Sequence, residues 1–463
     1  GMLDGEHLGA SVATAGDVNG DGLAEVLAGC PDYGIGGLAK EGRVVSYIVG
    51  VPLPTLIVNA PLIASQPATY FGNSLAILPH CDISFLPAFL IGEPSYPDPV
   101  PNSGRVLLYH GTMNAIQTPQ AHTYTPTVDG ELFGAVVADA GDVDRDGYTD
   151  FVTTSPGYTS GGLTERGRAQ LYLGTGSGLS PGASPWVAEG EQAGEQFGSA
   201  LGSRGDVNGD GYADLLVGAN RWSDGAVNQA GKVWLYLGGP SGFGASSWSA
   251  QGTHADEYFG YAIALSDLDG DGYSDAAISS QPSDQRVLAA GVRVYFGGPT
   301  GLSTQLAYTI MLTPPVNSFG VTLAGVGDYD GDSVGDLLVG ASEAYGNGAV
   351  FLYRGSPARS TPTSPYHTYV GTAGMSSVGY ALAGGGDLNG DGLGDFVVGA
   401  PNTTTPEQSE GALLVFLGRS TNAPFVPDTT YQSNLADQIL GSAIAPLGDV
   451  NADGFADIVA GAP

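Results

Sequence analysis

Asp142-Val-Asp144-Arg-Asp146-Gly147-Tyr148-Thr-Asp150 is one of seven versions of the same acidic nonapeptide in this 463-residue chain. The others begin at Asp17, Asp206, Asp267, Asp328, Asp387 and Asp449, with successive first residues 125, 64, 61, 61, 59 and 62 positions apart. The first gap holds two periods with one copy missing. Oxygen-bearing side chains at positions 1, 3, 5 and 9, around a glycine turn, suit a hard cation that takes about six to eight oxygen ligands. A main-chain carbonyl at position 7 adds one more oxygen. Calcium fits this description. Magnesium keeps several waters and seldom uses an all-protein cage, and zinc and copper would want nitrogen or sulfur, which no loop supplies.

The expected calcium ligands follow loop by loop. They are Asp17, Asn19, Asp21, Leu23 and Glu25, then Asp142, Asp144, Asp146, Tyr148 and Asp150, then Asp206, Asn208, Asp210, Tyr212 and Asp214. Asp267, Asp269, Asp271, Tyr273 and Asp275 form the fourth set, and Asp328, Asp330, Asp332, Val334 and Asp336 the fifth. The last two are Asp387, Asn389, Asp391, Leu393 and Asp395, and Asp449, Asn451, Asp453, Phe455 and Asp457. The final carboxylate falls at position 9 rather than 12, and an apolar strand-like run follows instead of a helix. An EF-hand is thereby excluded.

These loops account for 24 of the 47 Asp and Glu and for much of the formal charge of -33. With Lys40 and Lys232 as the only lysines, the surface cannot neutralise a phosphate backbone, so nucleic acid is not an expected partner. No apolar run approaches the roughly 20 residues of a membrane helix, so no membrane insertion is expected within this chain. Calcium loops of this short kind are expected to be weak, with Kd on the order of 10⁻⁴ to 10⁻³ M, and to fill outside the cell. The expectation is a secreted or surface protein whose export signal lies outside this fragment. Cys30 and Cys81 fall at opposite ends of successive units and are expected to be separate thiols.

Aligning on the acidic loops exposes the rest of a repeat of about 62 residues. Phe71-Gly72, Phe133-Gly134, Phe197-Gly198, Phe259-Gly260 and Phe319-Gly320 stand about nine residues before their loops, with weaker versions at Leu8-Gly9, Val378-Gly379 and Leu440-Gly441. Small-residue strand ends such as Val217-Gly-Ala-Asn220 and Val398-Gly-Ala-Pro401 follow the loops. A period-two strand then carries Tyr47, Tyr109, Tyr172, Tyr236, Tyr295, Tyr353 or Phe416 at an equivalent place, and turns rich in Gly, Pro and Ser lead to a less regular fourth strand. Four short strands per unit and no helical periodicity predict an all-β fold, a β-propeller of four-stranded antiparallel blades in a single domain over 1–463. The expected units are 1–60, 61–122, 123–186, 187–248, 249–308, 309–367, 368–430 and a partial 431–463. Eight units in one ring, seven complete plus a half unit, is the favoured arrangement. A seven-bladed ring is the alternative.

The combination of Phe-Gly, the Asp-x-Asn/Asp-x-Asp-Gly-x-x-Asp loop and Gly-Ala-Pro resembles the FG-GAP repeat of integrin α-subunit propellers and their bacterial relatives. That resemblance covers nearly the whole chain. It implies calcium on the lower rim, ligands on the upper face and cell adhesion or recognition as the function. The second unit departs from the pattern. Its turn, Pro79-His-Cys-Asp-Ile-Ser-Phe-Leu-Pro-Ala88, keeps only Asp82, so about seven calcium sites are expected and none there.

Arg204-Gly205-Asp206 spells a cell-attachment tripeptide, but Asp206 opens a metal loop. Gly178-Leu-Ser180-Pro-Gly182 matches a nucleophile elbow, yet it recurs as a turn before the fourth strand and lacks the strand-to-helix setting. The six histidines are scattered and no catalytic residue is assigned, so the chain is not expected to be an enzyme. The loops joining second to third strands carry Tyr33, Tyr96, Tyr158, Trp222 and Tyr345, a candidate ligand face unless these rings merely cover the blade tops. The expected function is extracellular recognition of a protein ligand. A lectin-like propeller with a carbohydrate partner is the alternative, followed by a polysaccharide-active enzyme or a structural surface or fibre component. The chain could also be part of a larger polypeptide or assembly.

Overall fold

The structure, a computed structural model, describes residues 7–33, 42–50, 55–58, 62–63, 68–82, 86–97, 102–112, 115–116, 120–126, 130–179, 184, 186–283, 290–312, 314–362, 364–404, 407–420, 424–451 and 453–463. The third unit shows the building block: Val136–Gly141, Asp150–Ser155, Arg168–Tyr172 and Trp186–Glu189 pair in that order as an antiparallel meander. Among the described residues seven blades of this order form, the first two with one extra two-residue strand each, followed by a two-stranded sheet of Ile444–Gly448 and Asp457–Ala460. Register repeats as faithfully as sequence. The third-strand aromatic faces the residue just after position 9 of the turn in all seven blades: Val26↔Tyr47, Phe89↔Tyr109, Phe151↔Tyr172, Leu215↔Tyr236, Ala276↔Tyr295, Leu337↔Tyr353 and Phe396↔Phe416.

A blade is apolar on both faces, so the core lies between blades. One cluster joins Val152, Leu171 and Trp186 of the third unit to Leu215, Val217 and Trp234 of the fourth. The motif phenylalanines Phe71, Phe133, Phe197, Phe259 and Phe319 are all fully buried. Truncating one would cost about 3–5 kcal/mol. Each phenylalanine crosses a unit boundary. Phe197, for example, bridges to Gly167 at the head of the preceding unit's third strand. Gly167 sits at φ 79°, and a Cβ there would collide with the Phe197 backbone, so only glycine admits this approach.

A column of glycines settles how the ring closes. The strand-end Gly29 lies against Gly72 of the next unit, and Gly92 against Gly134, Gly218 against Gly260, Gly340 against Gly379 and Gly399 against Gly441. The same contact joins Gly461 of the last unit to Gly9 of the first. Ile444–Gly448 packs on Leu382–Gly386 on one side and on Ser11–Gly16 on the other. Among the described residues the ring therefore consists of seven blades with a two-stranded unit completing the circle. An apolar cavity of about 650 Å³, lined by Val12, Val26, Tyr47, Leu447 and Val459 among others, lies beside this last unit.

The fourth strands end at Ile63, Tyr124, Glu189, Gln251, Ile310, Val370 and Gln432, two or three residues beyond each expected unit boundary. This outer strand carries no recurring residue that marks it. Its partner is one neighbouring strand and solvent, which ask only for alternation. Among the described residues, no helix is long and apolar enough to cross a membrane.

Candidate metal centres and the opposite face

Each acidic loop joins the first strand of its unit to the second, and the loops touch one another around one rim. The amide at position 8 donates to a carbonyl of the preceding loop: Thr149 to His80, Ala213 to Asp142, Ser274 to Asp206, Gly335 to Asp267, Gly394 to Asp328 and Ala456 to Asp387. Ala24 donates to Val450, carrying the chain of bonds from the last unit to the first. At the remaining junction, position 8 is Pro87, which has no N–H to give.

Inside a loop, the position 1 carboxylate organises the turn. Asp17 accepts amides from Gly20 at 2.6 Å, Asp21 at 3.0 Å and Gly22 at 2.8 Å. The position 6 residue is left-handed throughout, at φ 91° in Gly147 and still at φ 67° where Ser333 replaces glycine. Position 9 starts the second strand and points inward. Asp150 takes the Val143 amide on one oxygen at 2.7 Å and the Gly174 amide, just past the third strand, on the other at 2.7 Å. Asp214, Asp275, Asp336 and Asp395 make the same two bonds. This carboxylate thus ties loop, second strand and third strand together.

Burial, opposed by those amide bonds, pushes the position 9 carboxyls far up. Glu25 and Asp150 rise to about 8, and Asp214, Asp275 and Asp336 to about 7. The neighbouring loop carboxylates add to the rise. A site that makes its own carboxylates this reluctant to ionise fits a cation. Asp142, Asp144 and Asp150 converge with oxygens within 4.8 Å of one another, as do Asp267, Asp269 and Asp271, and Asp328, Asp330 and Asp332. In two loops a guanidinium already lies on these oxygens. Arg359 pairs with Asp269 and Asp271 at 2.6 Å each, and Arg354 pairs with Asp330. The other four loops carry Asn19, Asn208, Asn389 or Asn451 at position 3 and build the same turn from an amide oxygen, which accepts the position 5 amide in each.

The second unit is built differently. Register places His80, Cys81 and Asp82 at positions 1, 2 and 3, and Ala88 where the others have the position 9 carboxylate. Cys81 is fully buried, and His110 from the third strand meets Asp82 at 3.2 Å. Burial, with the charge of Asp82 beside it, pushes the Cys81 thiol up to about 12. Cys30 and Cys81 are separate thiols, with no disulfide between them.

On the opposite face, four of the five aromatics are buried and one is exposed. Tyr33, Tyr96, Tyr158 and Trp222 are buried beneath a cation from the first residue of the next strand. Arg43 lies 4.3 Å from the Tyr33 ring centre, Arg105 3.4 Å from Tyr96, Arg168 4.2 Å from Tyr158 and Lys232 4.9 Å from Trp222. Their polar tips are used as well, Tyr158 donating to Glu189 at 2.9 Å and Trp222 to Glu191 at 3.2 Å. The cations are held in turn by acids: Arg105 by Glu93 at 2.5 Å and Arg168 by the buried Glu131 at 2.6 Å. These rings cover the blade tops and offer no free stacking face. Tyr345 alone of the five is exposed, at 58 %, on a tight turn with φ 54°. Spacing alone does not separate them, since Arg354 follows Tyr345 by nine residues; the difference is that the strand after Tyr345 begins with Ala349, where the other four begin with Arg or Lys. Arg204, of the attachment-like tripeptide, pairs with Asp139 at 3.4 Å beside the central channel.

Comparison with known proteins agrees with the geometry. The FG-GAP repeat family matches residues 8–47, 134–172, 197–236, 259–296 and 378–416. Human integrin alpha-IIb is 39% identical over 160 residues, 33% of this chain and 15% of that protein. Drosophila melanogaster integrin alpha-PS2 is 34% identical over 247 residues, 50% of this chain and 16% of that protein. The chain thus spans only about a sixth of the length of these relatives. The crystal structure of Saccharomyces cerevisiae Sqt1 superposes with a TM-score of 0.50 at 11% identity, covering 81% of this chain and 78% of that one, a likeness of fold alone. The chain is a β-propeller in which five segments match the FG-GAP repeat, similar in sequence to part of the integrin α-subunits.

Proposed function

We propose that this chain is an extracellular, calcium-stabilised recognition propeller of the adhesion type, binding a protein ligand on the face opposite the acidic loops. The similarity to integrin α-subunits over half of the chain is the observation that carries this reading. Seven loops of unchanged spacing and a shared hydrogen-bonded rim support calcium as the ion, one per loop. Asp, Asn and Glu oxygens would hold it together with the position 7 carbonyl. Bound there, the ion would supply positive charge that lets the position 9 carboxylates stay ionised while buried. Its function is to stiffen the scaffold, and recognition falls to the loops between second and third strands.

Burial of Tyr33, Tyr96, Tyr158 and Trp222 removes the repeated stacking platforms a lectin would use, so protein is preferred over carbohydrate as the partner. The test is a binding screen of calcium-loaded chain against immobilised extracellular proteins and a glycan array. Protein binding lost on Tyr345→Ala or on other upper-loop changes, and retained on single changes in one acidic loop, is the expected result. Binding to glycans alone would overturn the reading.

A further inference from the structure

We propose that the second blade holds a zinc-type divalent ion between Cys81, Asp82 and His110, in place of the calcium its turn has lost. Their ligand atoms, the Cys81 Sγ, an Asp82 carboxylate oxygen and an imidazole nitrogen of His110, all lie within 4.8 Å of one another. Thiolate, imidazole and carboxylate are the donor set of zinc, with bonds of about 2.3, 2.0 and 2.1 Å, and three protein ligands leave a fourth position for water. Such bonds place the donor atoms roughly 3.3–3.8 Å apart, so side-chain rotation of about an ångström closes the site. The set does not suit calcium, which takes oxygen.

Comparison across units separates this site from ordinary packing. Position 2 is Val18, Val143, Val207, Leu268, Tyr329, Leu388 and Val450 in the acidic loops, and it is Cys81 only here. The place of His110, one residue after the third-strand aromatic, is held by Ile48, Leu173, Leu237, Phe296, Arg354 and Leu417 elsewhere. The Asp82–His110 pair alone would be a counterpart of Asp330–Arg354. What Asp330–Arg354 lacks is a thiol at position 2. Two positions that are otherwise mostly apolar have become metal ligands in the one unit whose position 9 carboxylate is gone. That loss also removes the carboxylate tie to the third strand. Gly111 donates to the Pro87 carbonyl rather than to a carboxylate, the clasp that Gly174 makes on Asp150. An ion on Cys81, Asp82 and His110 restores a tie between the turn and the third strand. His110 and Asp82 are about one-sixth exposed at the rim, which leaves the site reachable.

The probe is Co²⁺, titrated into the reduced 463-residue chain with calcium in excess to occupy the acidic loops. One equivalent should give a thiolate-to-cobalt charge-transfer band and the intense visible bands of four-coordinate cobalt, and Zn²⁺ should bleach both. Cys81→Ala should abolish the charge-transfer band, Cys30→Ala should leave it intact, and His110→Gln, at a partly exposed position that spares the core, should weaken binding at least tenfold. A thermal melt in calcium confirms that each variant is folded. Absence of the band in the unaltered chain, its survival in Cys81→Ala, or cobalt binding with no thiolate signature would overturn the proposal.

Discussion

The third and second units occupy adjacent places in one ring and solve the same turn in two ways. In the third, Asp142 gathers the loop amides and Asp150 holds both the Val143 amide and the Gly174 amide just past the neighbouring strand. In the second, Ala88 replaces that carboxylate, Pro87 removes the rim hydrogen bond to the first unit, and Asp82 and His110 pair instead. Both units nevertheless keep the strand order, the buried phenylalanine and the register as far as Ile77↔Phe89 and Asp139↔Phe151, beyond which only the third unit has a bulge. Blade packing therefore sets the fold, and the acidic loop sets how firmly the rim holds it.

The largest break in this comparison is removal of calcium. An ion that binds only the folded state stabilises by about 2.7 kcal/mol per site at a hundredfold excess over Kd. Several loops together should lower Tm on the order of 10–20 °C when chelator is added. Calorimetry with and without chelator checks this, and an unchanged Tm would remove calcium from the account. Next comes Asp150→Ala, which gives the third unit the residue the second already has. It leaves two buried amides without their acceptor, at about 1–3 kcal/mol each. The expected loss is about 3–5 kcal/mol by denaturant melts in calcium. Asp142→Ala, whose amide partners face solvent, should cost less than half as much.

Acidity supplies a third contrast. In calcium-free protein the position 9 carboxyls of Glu25 and Asp150 titrate near 8 in the folded state, because burial disfavours their charge. Unfolded, they would ionise near 4. The stability that protonation lends is full below about pH 4 and is lost as pH rises through 8, since the unfolded chain gives up its protons first. Chelated protein should accordingly melt lower at pH 8 than at pH 5.5, and calcium should shrink or reverse that slope. Melting curves at both pH values with and without calcium test it. An equal slope in the two series would mean that the ion does not reach these carboxylates.

Much of this was legible in the chain before its structure. Spacing alone placed every acidic loop between first and second strands, because the ligand positions must be local in sequence. The glycines of Phe-Gly and Gly-Ala-Pro were visible as motifs, but their pairing, Gly461 on Gly9 included, is a contact between units and leaves no local trace. The ring closure was accordingly readable only as a preference. The lids over Tyr33, Tyr96, Tyr158 and Trp222 were missed because an exposed-looking aromatic in a variable loop is ambiguous until its cation is found. Arg43, Arg105, Arg168 and Lys232 were in view, at a spacing that has meaning only once the loop is known to fold back on the strand that follows.

The smallest effect probes the one rim junction without its hydrogen bond. Pro87→Ala gives the second unit the amide found at position 8 everywhere else, placed to donate toward the Asp17 end of the first loop. The new bond contributes about 0.5–1.5 kcal/mol, and loss of proline's restriction of the unfolded chain costs about 0.4–1 kcal/mol. The two nearly cancel, so Tm should move by no more than about a degree. Stability is thus the wrong readout, and amide exchange is the right one. If the rim is a continuous belt of loop-to-loop bonds, the residue 87 amide in Pro87→Ala should exchange as slowly as those of Thr149 and Ala213, which already donate across their junctions. Rapid exchange would show that the rim is open at this junction, leaving the first and second units joined by the Gly42–Phe71 bridge and by packing such as the Pro87 ring against Gly16 and Leu27 with Phe89. The contrast between the two units would then extend to the joint they make with their neighbours.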